Sequence, residues 1–283
     1  LKSNPVILKE NVPFNMEADS LNCIVLGEDV TPGMAEWSIF VKEVRKEMTL
    51  KAGQRCTGIR RIFVPENKME EVWKEISKSL SQTTIGNPLN EKVRMGSLAG
   101  HSQRNEVKEQ IQKLLASSQI IYGSLDSVDV IDADSHKGAF ISPVLLMNDK
   151  PFEAKEVHEV EAFGPVSTIM PYKNADDAIV LSKMGKGSLC STIVTADDKI
   201  ARHYVIAAAT HHGRLLVLNN ECAKESTGHG SPLPLLVHGG PGRAGGGEEM
   251  GGLRGVKHYL QRTAVQGSPT TITAITDVYQ QYA

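Results

Sequence analysis

Several features that would place a chain of 283 residues at once are scarce or missing here. Cysteine is rare, with four residues at Cys23, Cys56, Cys190 and Cys222 and no C-x-x-C pair. That scatter argues against a zinc site or a disulfide scaffold and makes a reducing cytoplasm the expected compartment. Charge of either sign is not in excess: the formal net charge is -2 and the pI about 6.5. With aromatics at 5% and no basic stripe interleaved with them, nothing points to a nucleic-acid or other polyanion partner. Long apolar runs are missing too. Leu215-Leu-Val-Leu218 and Tyr204-Val-Ile-Ala-Ala-Ala209 fall well short of the roughly 20 residues a bilayer span needs. The opening Leu1-Lys2-Ser3-Asn4-Pro5 does not read as a signal peptide, and without an initiator methionine it reads as the start of a fragment. No G-x-G-x-x-G follows an early strand, and no P-loop lysine is present, so the chain by itself shows no nucleotide-binding half. No solenoid repeat is visible.

What is present is an ordinary globular composition, 40% hydrophobic and 23% charged, arranged as alternating strand-like and helix-like segments. Strands are expected at 21–26, 59–64, 93–98, 119–122, 139–147, 166–172, 190–194 and 215–218. Helices are expected at 35–51, 67–80, 102–117, 174–184 and 198–210. This alternation predicts an α/β fold with a largely parallel sheet. Beyond Asn220 the texture changes. Nine of the 25 glycines lie between His238 and Gly255, which reads as loop, and the tail 259–266 reads as a further strand that could pair with an edge or a partner subunit.

The most informative stretch is Lys51-Ala-Gly-Gln-Arg-Cys56-Thr57, between an amphipathic helix and an apolar strand. Gly53 can take a positive φ and turn the chain. Backbone N–H groups of the turn, and Lys51, Arg55, Arg60 and Arg61 nearby in sequence, would favour the thiolate of Cys56. The alternative is a small buried cysteine at a helix–strand junction. Three more segments stand with it. Glu17 lies in Phe14-Asn-Met-Glu17-Ala-Asp19-Ser-Leu-Asn22, Glu161-Ala-Phe163-Gly164-Pro165-Val166 leads into a strand, and Leu236 to Gly252 is glycine-rich. Read alone, Glu17 is a surface carboxylate, Phe163 a core residue and Gly164-Pro165 loop punctuation.

In chain order these segments resemble the aldehyde dehydrogenase superfamily: a glutamate, then G-Q-x-C, then E-x-F-G-P-V, then a glycine-rich stretch. The wording Glu17-Ala-Asp-Ser-Leu-Asn22 and His238-Gly-Gly-Pro-Gly-Arg-Ala-Gly-Gly-Gly-Glu-Glu-Met is most similar to one branch. That branch is the semialdehyde dehydrogenase domains of bifunctional phenylacetate-degradation proteins, with benzoyl-CoA pathway semialdehyde dehydrogenases as close relatives. The resemblance covers nearly all of this chain but about half of a family member.

It implies a three-layer αβα catalytic domain at 21–258, the end of a Rossmann-like cofactor domain at 1–20, and a C-terminal tail at 259–283 that supplies an oligomerisation strand. It implies Cys56 as nucleophile, Glu17 as the base that activates water, and Glu161 and Phe163 as contacts to the ribose and ring of a nicotinamide coenzyme, NADP or NAD. No metal is implied. The substrate would be an aldehyde, a CoA-linked semialdehyde of aromatic-compound degradation. Retention of Glu17 favours hydrolysis to the free acid over acylation of CoA. A homo-oligomer and a fused hydratase domain in the parent protein are also implied. Arg243 and Arg254 are candidates for a CoA phosphate, while His229, His238, Cys23, Cys190 and Cys222 read as structural. Two competing readings stay open. One is an inert packing and assembly module; the other is a thiol redox protein using Cys56, which lacks a resolving cysteine nearby.

Overall fold

A computed structural model of the chain describes residues 3–10, 16–233, 236–245, 248–249, 252–258, 260 and 262–282. Residues 1–249 and 250–283 form two separate units.

The first unit is built on a seven-stranded sheet. Its strands in chain order are β1 (Cys23–Leu26), β2 (Arg61–Pro65), β3 (Gln119–Tyr122), β4 (Val144–Met147), β5 (Val166–Tyr172), β6 (Ser188–Val194) and β7 (His212–Leu218). In space the order is β3-β4-β5-β2-β1-β6-β7. Every pairing is parallel except that of the edge strand β3 with β4. The crossover helices are α2 (Ala35–Thr49), α3 (Met69–Leu80), α4 (His101–Leu114), α6 (Ala175–Lys183) and α7 (Asp198–Ala208), with two short helices, α1 (Pro5–Lys9) and α5 (Glu156–Glu159).

The strands are apolar throughout because both faces of the sheet are covered. On β1, Ile24 and Leu26 join a core with Trp37, Phe40 and Val44 of α2 and Val72 and Ile76 of α3. Cys23 and Val25 point the other way, into a core with Val107 and Ile111 of α4, Ile179 of α6 and Tyr204 of α7. The two-residue period of a strand thus produces the three αβα layers. Local signals agree with the helix starts: Asn174 accepts from the N–H of Asp177 ahead of α6, and Asp197 caps α7 through the N–H of Lys199.

Two expected strands are altered. Residues 93–98 form no strand, only an isolated bridge from Met95 to Ile85. The 139–147 strand shrinks to β4, since Ala139 to Pro143 pass through irregular backbone. The glycine-rich region contributes a two-residue antiparallel pairing of β8 (His238–Gly239) with β9 (Glu248–Glu249).

The second unit holds helices α8 (Gly252–His258) and α9 (Pro269–Thr276). The expected strand at 259–266 forms no ladder within the chain among its described residues; Tyr259 and Gln261 lie outside them. Helix α9 begins at a Ser268 cap with Pro269 in its first turn, the position where a missing N–H costs nothing. No described helix is long and apolar enough to cross a membrane.

Candidate active site

Parallel strands share one amino-terminal edge, and that edge collects the motifs. Glu17 lies upstream of β1, Cys56 of β2, and Glu161 and Phe163 of β5, while the Lys186-Gly187 turn before β6 meets the glycine-rich segment. Strands β5, β2, β1 and β6 are consecutive in the sheet. Segments far apart in sequence therefore end side by side. All four expected residues, Glu17, Cys56, Glu161 and Phe163, line one cleft of about 650 Å³. At the opposite edge, the carboxyl ends of β1 and β6 are bridged by hydrogen bonds. There Asp29 accepts from the Thr195 hydroxyl (2.7 Å) and the Ala196 N–H (2.8 Å), and the Tyr172 hydroxyl covers the Leu26 carbonyl.

The cysteine is presented by a strained turn. Helix α2 ends at Thr49, two residues short of the expected 51. Lys51, Ala52 and Gly53 then take three consecutive positive φ angles of 54°, 52° and 69°. The left-handed region costs a non-glycine residue roughly 1–2 kcal/mol, so surrounding packing must hold this path. A Cβ on Gly53 would lie 2.2 Å from the Gly164 carbonyl oxygen, which makes glycine a requirement there. The Gly58 N–H then closes a turn onto the Arg55 carbonyl at 3.0 Å, with Cys56 and Thr57 at its tip. Cys56 is exposed; Cys23 and Cys190 are buried and Cys222 half-buried.

Buried polar groups clamp this turn from behind. The fully buried Asn22 amide donates to the carbonyls of Cys56 (2.8 Å) and Gly58 (3.0 Å). Its oxygen accepts from the Cys190 N–H at 3.0 Å. Arg55 places one nitrogen between both oxygens of the fully buried Glu47 carboxylate, at 2.8 and 2.9 Å. Thr57 donates to the Gly230 carbonyl at 3.1 Å.

The four nearby cations behave differently from the simple expectation of positive charge around the thiol. Lys51 is exposed, Arg55 is neutralised by Glu47, and Arg60 pairs with Glu161 at 3.1 Å. Arg61 lies buried within the β2 region and donates to the carbonyls of Leu21, Leu181 and Ser182. Adjacent residues on an extended chain face opposite ways, so neighbouring positions in sequence do not supply a common field.

Glu161 is largely buried. Its oxygens accept from Arg60 Nε (3.1 Å) and the Ser20 N–H (3.2 Å). Burial pushes its carboxyl pKa up, and Arg60 and the Ser20 N–H oppose that shift. The Phe163 ring is 40% exposed in the cleft, so it is not the core residue that the local reading made it.

On the Glu17 side, Asp19 forms a two-pronged ion pair with Arg243, whose carbonyl accepts from the N–H groups of Ala18 and Asp19. Arg243 also donates to the carbonyls of His158 (3.2 Å) and Glu159 (2.8 Å). Its donors are thus engaged inside the protein and it does not stand as a phosphate ligand; Arg254 is exposed. His229 is buried as a structural residue, with its ring nitrogens 3.1 Å from Cys190 Sγ and 2.7 Å from Thr192 Oγ1. His238 is half-buried.

Helix α4 adds Glu106, Gln110 and Lys113 to the cleft. Sequence reading missed them, although their i, i+4, i+7 spacing marks one helix face. It also missed Asn22 and Arg60 as buried polar residues at strand starts; polar groups there, ahead of apolar runs, were the available signal.

Comparison with known proteins adds a family. Residues 22–265 match the model of the aldehyde dehydrogenase family. The chain is 52% identical over 183 residues to Protein MaoC of Klebsiella aerogenes, covering 64% of this chain and 52% of that protein. It is 37% identical over 241 residues to 3,4-dehydroadipyl-CoA semialdehyde dehydrogenase of Aromatoleum evansii, covering 85% of this chain and 47% of that enzyme. The chain thus spans about half the length of these relatives. Among solved structures, betaine aldehyde dehydrogenase of Staphylococcus aureus in complex with NAD+ superposes with a TM-score of 0.75 at 20% identity, covering 89% of this chain and 46% of that one. Succinic semialdehyde dehydrogenase of Streptococcus pyogenes with NADP+ gives 0.69 at 20% identity, covering 83% and 47%. These two share the fold.

Proposed function

The chain belongs to the aldehyde dehydrogenase family, and from that premise we propose that it carries the nucleophile and the water-activating base for oxidation of an aldehyde to a carboxylic acid with NADP or NAD. The carrying observation is that Cys56, Glu17, Glu161 and Phe163 line a single cleft. The aldehyde is a CoA-linked semialdehyde of aromatic-compound degradation, a reading supported by the 3,4-dehydroadipyl-CoA semialdehyde dehydrogenase relative. Residues 1–20 are then the end of a coenzyme-binding domain. Homo-oligomeric assembly through the 259–283 tail and a fused hydratase belong to the same reading of the whole protein.

The cleft suits the nicotinamide riboside end of such a coenzyme. Phe163 offers a partly exposed aromatic face. Each Glu161 oxygen has one donor in this structure, and a carboxylate oxygen has capacity for a second, such as a ribose hydroxyl.

Cys56 Sγ adds to the aldehyde carbon, giving a thiohemiacetal whose oxyanion the Cys56 N–H helps to hold. One well-aimed donor of this kind is worth about 3–4 kcal/mol. The coenzyme, when bound, supplies the hydride acceptor that turns this adduct into a thioester. Glu17 takes a proton from water, which attacks the thioester carbon; the C–S bond breaks, the acid leaves and the Cys56 thiolate returns. Sulfur suits both halves, being a strong nucleophile near neutrality and a good leaving group.

The test is aldehyde oxidation by the full-length protein with NADP and with NAD. Cys56→Ala should abolish turnover. Glu17→Gln should keep a first-turnover burst of reduced coenzyme but slow steady turnover by about 100-fold, the usual worth of a general base. Full turnover by Cys56→Ala would rule the proposal out, and loss of the burst in Glu17→Gln would assign Glu17 another role.

A further inference from the structure

Arg60 is 5% exposed, and its guanidinium touches both halves of the cleft. On the nucleophile side, one terminal nitrogen donates to the carbonyls of Gly53 (2.9 Å) and Arg55 (3.1 Å), two residues of the strained turn that ends at Cys56. On the other side, Nε donates to Glu161 (3.1 Å) and the second terminal nitrogen to the Gly164 carbonyl (2.8 Å). The guanidinium carbon also stands 5.3 Å from the centre of the Phe163 ring. The backbone makes room for it: a Cβ on Gly58 would come within 3.1 Å of the guanidinium.

We infer that Arg60 is a positioning residue that fixes the Cys56 turn and the Glu161–Phe163 segment relative to one another, so that nucleophile and coenzyme contacts move as one body. The inference rests on the proposed function for the identity of the coenzyme. A planar fork with donors pointing several ways can meet four acceptors in different directions, which the single ammonium of lysine cannot. Burial disfavours the charge of Arg60 and the Glu161 carboxylate opposes that effect, so the ion pair and the carbonyl contacts depend on each other. The strand pairing below, Arg61 with Thr168, fixes β2 against β5 but does not reach the two loops. The Arg60 side chain bonds to both, reaching Glu161 on one side and the Arg55 carbonyl, one residue before Cys56, on the other.

The experiment compares wild type, Arg60→Met, Arg60→Lys, Glu161→Gln and the Arg60→Met/Glu161→Gln double variant of the full-length protein. Coenzyme KM, first-turnover rate at saturating coenzyme, and the rate of Cys56 alkylation by iodoacetamide are measured on folded material. Arg60→Met should raise coenzyme KM about tenfold and change the alkylation rate about fivefold or more, as expected for losing hydrogen bonds to a charged group. Glu161→Gln should raise KM and shift alkylation in the same direction as Arg60→Met but by less, and the double variant should be no worse in KM than Arg60→Met alone. A purely structural arginine would lower the folded fraction and leave these per-molecule constants in place. Additive KM effects, or wild-type KM and alkylation in folded Arg60→Met, would overturn the inference. If Arg60→Met does not fold, Arg60→Lys decides in the same way: wild-type values overturn, raised KM with altered alkylation supports. Wild type that fails to oxidise any aldehyde removes the proposed function instead, and the alkylation arm still decides on Arg60.

Discussion

Acidification should destabilise this protein through imidazoles that are buried neutral beside a cation. His158, 2% exposed, accepts from Arg61 at Nδ1 (3.1 Å) and donates from Nε2 to the Pro151 carbonyl (2.9 Å). Protonating Nδ1 would set two donors and two positive charges against each other. Burial, reinforced by Arg61, lowers its pKa from the ordinary 6.5 to about 4. His212 is lowered to about 3, again by burial and then Arg61. Between those values and 6.5 the unfolded chain binds more protons than the native one, so stability falls as pH falls. At about pH 5 each ring contributes a loss of roughly 2 kcal/mol, or about 4 kcal/mol for the pair, against a total stability on the order of 5–15 kcal/mol. Glu47 and Glu161 act in the opposite direction, because burial raises their pKa values in the native state.

The assay isolates one ring. Urea unfolding of wild type and His158→Gln at about pH 7.5 and pH 5 yields four free energies. Glutamine can accept from Arg61 and donate to Pro151 without titrating, so its acid-induced loss should be smaller by about 2 kcal/mol. The carboxylate contributions are common to both proteins and cancel. An equal loss in wild type and His158→Gln would refute the neutral-imidazole argument, whatever the variant does at neutral pH.

Two further outcomes follow from the same geometry. Gly53→Ala meets both a left-handed φ and a carbonyl oxygen 2.2 Å from the new Cβ, and should cost about 2–4 kcal/mol in urea unfolding; a change under about 0.5 kcal/mol would mean the turn relaxes freely. A thiol–disulfide reagent should modify Cys56 first and Cys222 more slowly, while Cys23 and Cys190 react only on unfolding, with burial holding the Cys190 thiol neutral. Early modification of Cys190, read by mass spectrometry, would contradict that order.

The alternation of elements was legible because each strand is apolar on both faces and each crossover helix carries one apolar stripe. Strand β5 lies at the expected 166–172, and α6 starts and ends within one residue of the expected 174–184. Residues 93–98 were misread because Met95 and Leu98 are buried by loop packing, not by a ladder; burial alone leaves the same apolar trace. The carboxyl-terminal end of α2 falls short of the expected 51 because Lys51 and Ala52 look helical but adopt left-handed backbone. At the site, the family resemblance of the motifs, and not their local pattern, pointed to the residues that line the cleft. The clamps made by Asn22, Glu47 and Arg60 join positions up to 168 residues apart, and no local periodicity encodes such pairings. The arginines show the limit most clearly, since Arg60 and Arg61 are adjacent in sequence and serve different environments.

Placing the cleft residues ahead of the strands makes the two rims of the sheet unequal in what they tolerate. A connection entering β1, β2 or β5 has a fixed length, because one added residue would slide a side chain by about 3.3 Å along its strand, further than a hydrogen bond can stretch. Connections leaving the strands, such as Lys173-Asn174 after β5, carry no such tether to the cleft. Added sequence can be grafted there while the cleft at the other end keeps its dimensions.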